Sequence, residues 1–116
     1  MPQNLDKDGL RSKINSYELF FIDIWGVIHN GLQIFEDSIE VLENLKKNNK
    51  EFVLLTNAPR PNSTVIDFLK KIGLKKYYED VYTSGEASLK YLMENFLNSK
   101  FYHIGPPRDF DLFKRF

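Results

Sequence analysis

From residue 19 onward, short apolar runs alternate with amphipathic stretches of helical spacing, and this alternation limits the chain to few folds. A strand that is apolar along its length needs cover. A helix that crosses back over the sheet provides it and leaves successive strands parallel. The runs are Leu19-Phe20-Phe21-Ile22-Asp23-Ile24, Phe52-Val53-Leu54-Leu55-Thr56, Asp80-Val81-Tyr82-Thr83 and Phe101-Tyr102-His103-Ile104. The first reads as a strand buried on both faces. The expected fold class is α/β: a Rossmann-like parallel sheet with helices on both faces.

The connecting stretches carry their own signals. Asn30-Gly31, between Val27-Ile28 and Leu32 to Ile34, predicts a hairpin, because both turn positions of such a pair favour positive φ. Glu36 to Lys47 reads as a helix with Ile39, Leu42 and Leu45 on one face, Val41 beside them, and Asp37 or Ser38 as cap. Asn57-Ala58-Pro59-Arg60-Pro61 is a loop, since two prolines stop regular structure. Asn62 or Ser63 then caps a helix with Val65, Phe68, Leu69 and Ile72 inward and Gly73 at its close. Thr83-Ser84-Gly85-Glu86 has the capping-box pattern and opens a helix through about Leu97. Gly105-Pro106-Pro107 is a loop, with a helical turn or two from near Asp109. Residues 1–16 form a polar lead-in in which Leu10 and Ile14 suit one turn of a short helix.

With 116 residues, the chain is one domain or part of one. It is 42% hydrophobic and 15% aromatic, which supports a real core. Sixteen basic and sixteen acidic residues cancel. That balance gives no footprint for nucleic acid and no basic block for a membrane surface. Lys46-Lys47, Lys70-Lys71 and Lys75-Lys76 each fall near an expected helix C-terminus, where cations complement the dipole. The absence of cysteine excludes disulfides, zinc–thiolate sites and thiol nucleophiles. It fits a reducing compartment. No signal peptide is visible, and the run Leu19 to Ile28 is interrupted by Asp23 and falls short of the about 20 residues a bilayer requires. The expected setting is soluble and cytoplasmic.

Ligands of open α/β sheets bind beyond the carboxyl ends of the strands. Those ends offer Asp23, Trp25 and Gly26; Thr56 and Asn57; Thr83 to Glu86; and His103 with Gly105. Asp23 is a lone carboxylate inside an apolar run, where burial without a partner is costly. A divalent cation is one partner, since Mg²⁺ favours carboxylate and carbonyl oxygens. A carboxylate beside Mg²⁺ is also a nucleophile toward phosphorus. The plainer reading has Asp23 bonding to N–H groups of the next turn. Thr56 and Asn57 offer a hydroxyl and an amide to phosphate oxygens, or simply a satisfied turn. Ser84 to Glu86 could meet an anion at a helix start, though capping explains them as well. His29 and His103 lack metal-ligand spacing, and Trp25 suits packing as readily as a substrate platform.

Asp23-Ile24-Trp25-Gly26-Val27-Ile28-His29-Asn30-Gly31 followed by Phe52-Val53-Leu54-Leu55-Thr56-Asn57 resembles motifs I and II of the haloacid dehalogenase (HAD) superfamily. The pattern is most similar to subfamily IIA, the NagD-like and pyridoxal-phosphatase-like enzymes. Its D-x-W-G-V form resembles an uncharacterised bacterial branch. Thr83-Ser84-Gly85-Glu86 and His103-Ile104-Gly105 are similar to that branch too. The likeness covers roughly residues 17 to 110, and residues 17–116 are expected to form a partial HAD-like core. The resemblance implies hydrolysis of small phosphorylated metabolites through an aspartyl-phosphate, with Mg²⁺ as cofactor. It makes Asp23 the nucleophile and a metal ligand, Trp25 a metal ligand through its backbone carbonyl, and Thr56 with Asn57 the phosphate-holding pair. Gly26 to Ile28 would form the helical squiggle and Asn30-Gly31 the flap.

Two departures matter. Where most such phosphatases carry a second Asp that protonates the leaving group, this chain has Trp25. General acid–base help is typically about 10²–10⁴-fold, so esters with good leaving groups would suffer least. His29 is a candidate substitute. The resemblance also implies a C2-type cap and motifs III and IV, and nothing in the sequence matches them. Asp109 and Asp111 follow a proline-rich loop and are not assigned as ligands. The alternative is a catalytically inactive remnant, or one half of a split enzyme acting as an interaction module. An open sheet edge would then invite a partner chain or self-association, with marginal stability alone. A receiver-type signalling domain fits the alternation but lacks the acidic pair after the first strand.

Overall fold

The computed structural model describes residues 2–116; Met1, at the start of the expected lead-in, lies outside the described residues. Three parallel strands form one sheet in the order β1 (Leu19–Asp23), β2 (Glu51–Thr56), β3 (Val81–Thr83). Helix α1 (Glu36–Lys47) joins β1 to β2, α2 (Asn62–Lys71) joins β2 to β3, and α3 (Ser84–Phe96) follows β3. This is the expected Rossmann-like α/β architecture.

Register places Phe20 beside Phe52, Ile22 beside Leu54, and Leu54 beside Val81. Partners in a parallel pair share a face, so these side chains form one apolar surface. Leu42 and Leu45 of α1 and Leu69 of α2 pack there, joined by Ile24, Ile28, Ile34 and Leu74. The helices form where expected because their apolar residues recur at three- and four-residue spacing toward this face. Leu10 and Ile14, in short 3-10 turns spanning Leu10–Ser12 and Ile14–Ser16, pack against the same core.

The opposite face is only partly covered. Leu19, Phe21 and Tyr82 are exposed there, Phe21 by 67%. The expectation that the first strand is buried on both faces is therefore corrected: only alternate residues of β1 face the helices.

Other local expectations are also corrected. Phe101 to Ile104 forms no strand. Aromatic and β-branched content reflects fit to a pleated, half-buried surface, and tertiary packing can override it. Here the apolar groups turn elsewhere: His103 packs on Phe110 and Phe113, and Phe101 on Phe116. The last helical segment is a 3-10 stretch, Pro107–Phe113. Neither α1 nor α2 has a side-chain cap, and their N-cap residues are Phe35 and Pro61. Two of the expected cap residues, Ser38 and Asn62, are engaged in tertiary contacts. Ser38 donates its hydroxyl to the Val27 carbonyl (2.5 Å), and the Asn62 amide oxygen accepts the Thr83 N–H (2.9 Å).

Candidate functional site

Asp23, Thr56 and Thr83 end three neighbouring strands, which brings them to one carboxyl edge of the sheet. In register, Asp23 stands beside Leu55, and Thr56, the next residue, beside Thr83. The carboxylate of Asp23 is exposed rather than buried, so solvent relieves much of the cost expected from its apolar setting. Its Oδ1 accepts the Ile24 N–H at 2.8 Å, and no hydrogen bond to Oδ2 is found among the described residues.

After Asp23 the chain makes a single helical turn. The Ile24 carbonyl accepts from Val27 (3.2 Å) and Ile28 (2.8 Å), and Gly26 donates to the His29 carbonyl (2.8 Å). The Trp25 carbonyl accepts none of these turn bonds. The hairpin then forms, with His29 bridged to Ile34 and Asn30 donating its N–H to the Gln33 carbonyl. Only Gly31 has positive φ; Asn30 instead accepts the Leu32 and Gln33 N–H groups through Oδ1. The expectation of two positive-φ turn residues is thus corrected, because an Asx-type acceptor stabilises the turn from outside its centre.

Trp25 is 64% exposed, its ring lying against Gly31 and edge-on to His29 at 5.1 Å. His29 is buried. Its Nδ1 accepts the Gly31 N–H at 2.8 Å, so the neutral ring carries its proton on Nε2. Burial holds the imidazole below its ordinary pKa.

Thr56 Oγ1 accepts the Ala58 N–H at 3.2 Å, while Asn57 is exposed and its carbonyl accepts the Ser84 hydroxyl at 2.9 Å. Thr83 caps α3 as the capping-box pattern predicts, accepting the Glu86 N–H at 2.9 Å. The reciprocal bond is absent. Asn62 stands in for it, receiving the Thr83 N–H and donating its own N–H to Glu86 Oε2. Sequence reasoning missed three residues: Asn62 in this bridge, Arg60, and Asp111, whose Oδ2 takes the Thr64 hydroxyl (2.6 Å) and the Arg60 guanidinium (3.2 Å). Local pattern carries no signal for contacts spanning 47 and 51 residues.

No group of three or more His, Cys, Asp or Glu side chains gathers among the described residues. No helix there is long and apolar enough to cross a membrane.

The carboxyl ends of the strands, where open parallel α/β sheets bind ligands, here carry an accessible carboxylate and a hydroxyl. The haloacid dehalogenase-like hydrolase family model matches residues 20–116, and the chain belongs to that family. It is similar to a haloacid dehalogenase-like hydrolase from Brucella suis 1330, with 29% identity over 97% of this chain and 41% of that one, and a TM-score of 0.74. It is similar to a 4-nitrophenylphosphatase from Thermotoga maritima, with 28% identity over 86% and 39%, TM-score 0.71. A protein described as a putative NagD is 29% identical over 83% and 38%, TM-score 0.68. The chain therefore spans about two fifths of these relatives' length. No curated protein matches it.

Proposed function

We propose that this chain supplies the nucleophile and phosphate-holding residues of a Mg²⁺-dependent phosphomonoesterase acting on small phosphorylated metabolites. The observation that carries the reading is that Asp23 and Thr56 stand at the carboxyl ends of neighbouring parallel strands, with Asp23 exposed and no hydrogen bond to its Oδ2 among the described residues. Asp23 Oδ2 attacks phosphorus, the ester P–O bond breaks, and the leaving oxygen departs with the bond's electrons. Water then attacks phosphorus and gives up a proton to the solvent, the Asp23 Oδ2–phosphorus bond breaks, and inorganic phosphate leaves with the carboxylate restored. Thr56 and Asn57 would donate to the phosphoryl oxygens. The similarity to a protein named 4-nitrophenylphosphatase supports this class of substrate.

The donor set suits Mg²⁺ in kind. Asp23 offers one free carboxylate oxygen and Trp25 an unclaimed backbone carbonyl. Mg²⁺ commonly takes one or two carboxylates and keeps several waters. When bound, it would neutralise charge on the phosphoryl oxygens. A cytoplasmic setting fits a chain without cysteine.

Trp25 at the position of the second carboxylate favours a second reading, a catalytically inactive module or one half of a two-chain enzyme. The deciding experiment is hydrolysis of p-nitrophenyl phosphate with Mg²⁺ by this chain and by Asp23→Asn. Its phenolate leaves without protonation, so the absent acid matters least. Activity that vanishes in the variant supports the nucleophile assignment. No activity in either folded chain supports the second reading.

A further inference from the structure

The four residues Thr83-Ser84-Gly85-Glu86 do more than start a helix, since most of their polar groups reach the loop that follows β2. The Ser84 hydroxyl lies 2.9 Å from the Asn57 carbonyl and 3.0 Å from that of Ala58, sharing its one hydrogen between them. The Gly85 N–H donates to the Ala58 carbonyl at 3.1 Å. Thr83 Oγ1 donates to the Arg60 carbonyl at 2.5 Å. Three carbonyls of one loop, those of Asn57, Ala58 and Arg60, are therefore held from a single helix start.

The consequence runs through the peptide plane. In a trans peptide the carbonyl and the following N–H point in opposite directions. Holding the Asn57 carbonyl toward Ser84 turns the Ala58 N–H away from it, and that N–H meets Thr56 Oγ1 at 3.2 Å. A hydroxyl that accepts there keeps its own hydrogen for another acceptor. The direction of the Thr56 hydroxyl thus depends on Ser84, one strand away.

We propose that Ser84 is a positioning residue for phosphate binding. Through the Asn57–Ala58 peptide it fixes Thr56 Oγ1 as a donor toward the carboxyl edge that carries Asp23. This rests on reading Thr56 and Asn57 as the phosphate-holding pair. Ser84 touches no substrate in this account, and its hydroxyl serves the backbone alone.

The test uses the full chain and its Ser84→Ala, Ser84→Thr, Thr56→Val and Ser84→Ala/Thr56→Val variants. Two quantities are measured: exchange of the Ala58 amide by NMR, and affinity for inorganic phosphate in the presence of Mg²⁺. Ser84→Ala should speed Ala58 exchange and weaken phosphate binding, each by about tenfold, as expected for one lost hydrogen bond. Ser84→Thr, which keeps the hydroxyl, should restore both. The double variant should bind no more weakly than Thr56→Val alone, because Ser84 acts through Thr56. An Ala58 amide indifferent to Ser84→Ala overturns the proposal, as do strictly additive losses or failure of the Thr variant to rescue. If Ser84→Ala frees the Ala58 amide in a chain that never binds phosphate, the relay stands and the phosphate reading falls.

Discussion

The six-membered ring of Trp25 lies so close to Gly31 that a β-carbon at residue 31 would stand 2.5 Å from Cη2 and 2.8 Å from Cζ3. Gly31 also has φ near +89°, a region other residues rarely adopt. Tight backbone approach and backbone conformation thus converge on one glycine, and the hairpin and the indole hold each other. Gly31→Ala should lower stability by about 1–3 kcal/mol in urea unfolding, from strained φ together with the displaced ring. Trp25 is the only tryptophan, so its emission reports the displacement directly. An unchanged midpoint with unchanged emission would contradict this packing.

His29 makes stability depend on acid. Burial depresses its pKa from the ordinary 6.5, so the unfolded chain takes up a proton more readily than the folded one. Its contribution is fully present above 6.5 and is lost as pH falls through the lower, folded value. Unfolding free energy measured between pH 7.5 and 5 should therefore decline on the acid side. His29→Gln should flatten that part of the profile. An equally steep decline in the variant would move the effect to other groups.

Much of this was legible in the sequence because it is local. Helix α1 spans Glu36–Lys47, the range its apolar spacing predicts, and Thr83 caps α3 as the pattern predicts. The apolar runs ending in Asp23, Thr56 and Thr83 are the three strands, and their parallel pairing follows from the helices between them. What local pattern missed depends on tertiary neighbours. Phe101 to Ile104 has strand composition, but Phe101 and His103 pack on Phe110, Phe113 and Phe116 rather than in the sheet. Asn62 has the chemistry of a cap but bonds across to Thr83. The burial of Asp23 was overestimated because an apolar run does not reveal that one face of the sheet is left open, and Asp23 lies on that face.

Gly85 carries the tightest constraint in the region joining β3 to the loop after β2. A β-carbon there would run into the backbone N, C and O of Arg60. Backbone on both sides cannot yield as a flexible side chain does. Gly85→Ala should cost about 1–3 kcal/mol by overpacking. Its amide bond to the Ala58 carbonyl should weaken, visible as faster exchange of the Gly85 N–H. A variant as stable as the parent, with that amide still protected, would mean the loop has room to retreat.

Asp111 ties the last turn of the chain to the same loop. Burial alone would raise its pKa, but the Thr64 hydroxyl and the Arg60 guanidinium outweigh it and leave the carboxyl below its ordinary 3.8. The contribution is present above 3.8 and is lost as pH falls through the lower, folded value. Arg60 is 36% exposed, so solvent screens part of the pairing. Asp111→Ala should therefore cost only about 1 kcal/mol at neutral pH. Added salt should weaken the parent more than the variant. Equal salt sensitivity of the two would indicate that the Thr64 hydrogen bond, rather than the ion pair, carries the contact.

Trp25 sets which leaving groups the proposed chemistry can expel. An indole donates no proton to an alkoxide, whereas a phenolate leaves unaided. On this account the parent chain should hydrolyse p-nitrophenyl phosphate far faster than glycerol phosphate. Trp25→Asp returns a carboxyl group to the position without altering the backbone carbonyl. It should raise the rate on glycerol phosphate by about 10²–10⁴-fold relative to that on p-nitrophenyl phosphate. The informative quantity is that ratio, because loss of the exposed indole could change both rates together through substrate binding. A Trp25→Asp chain whose two rates move in parallel would show that protonation of the leaving group is not what the tryptophan withholds.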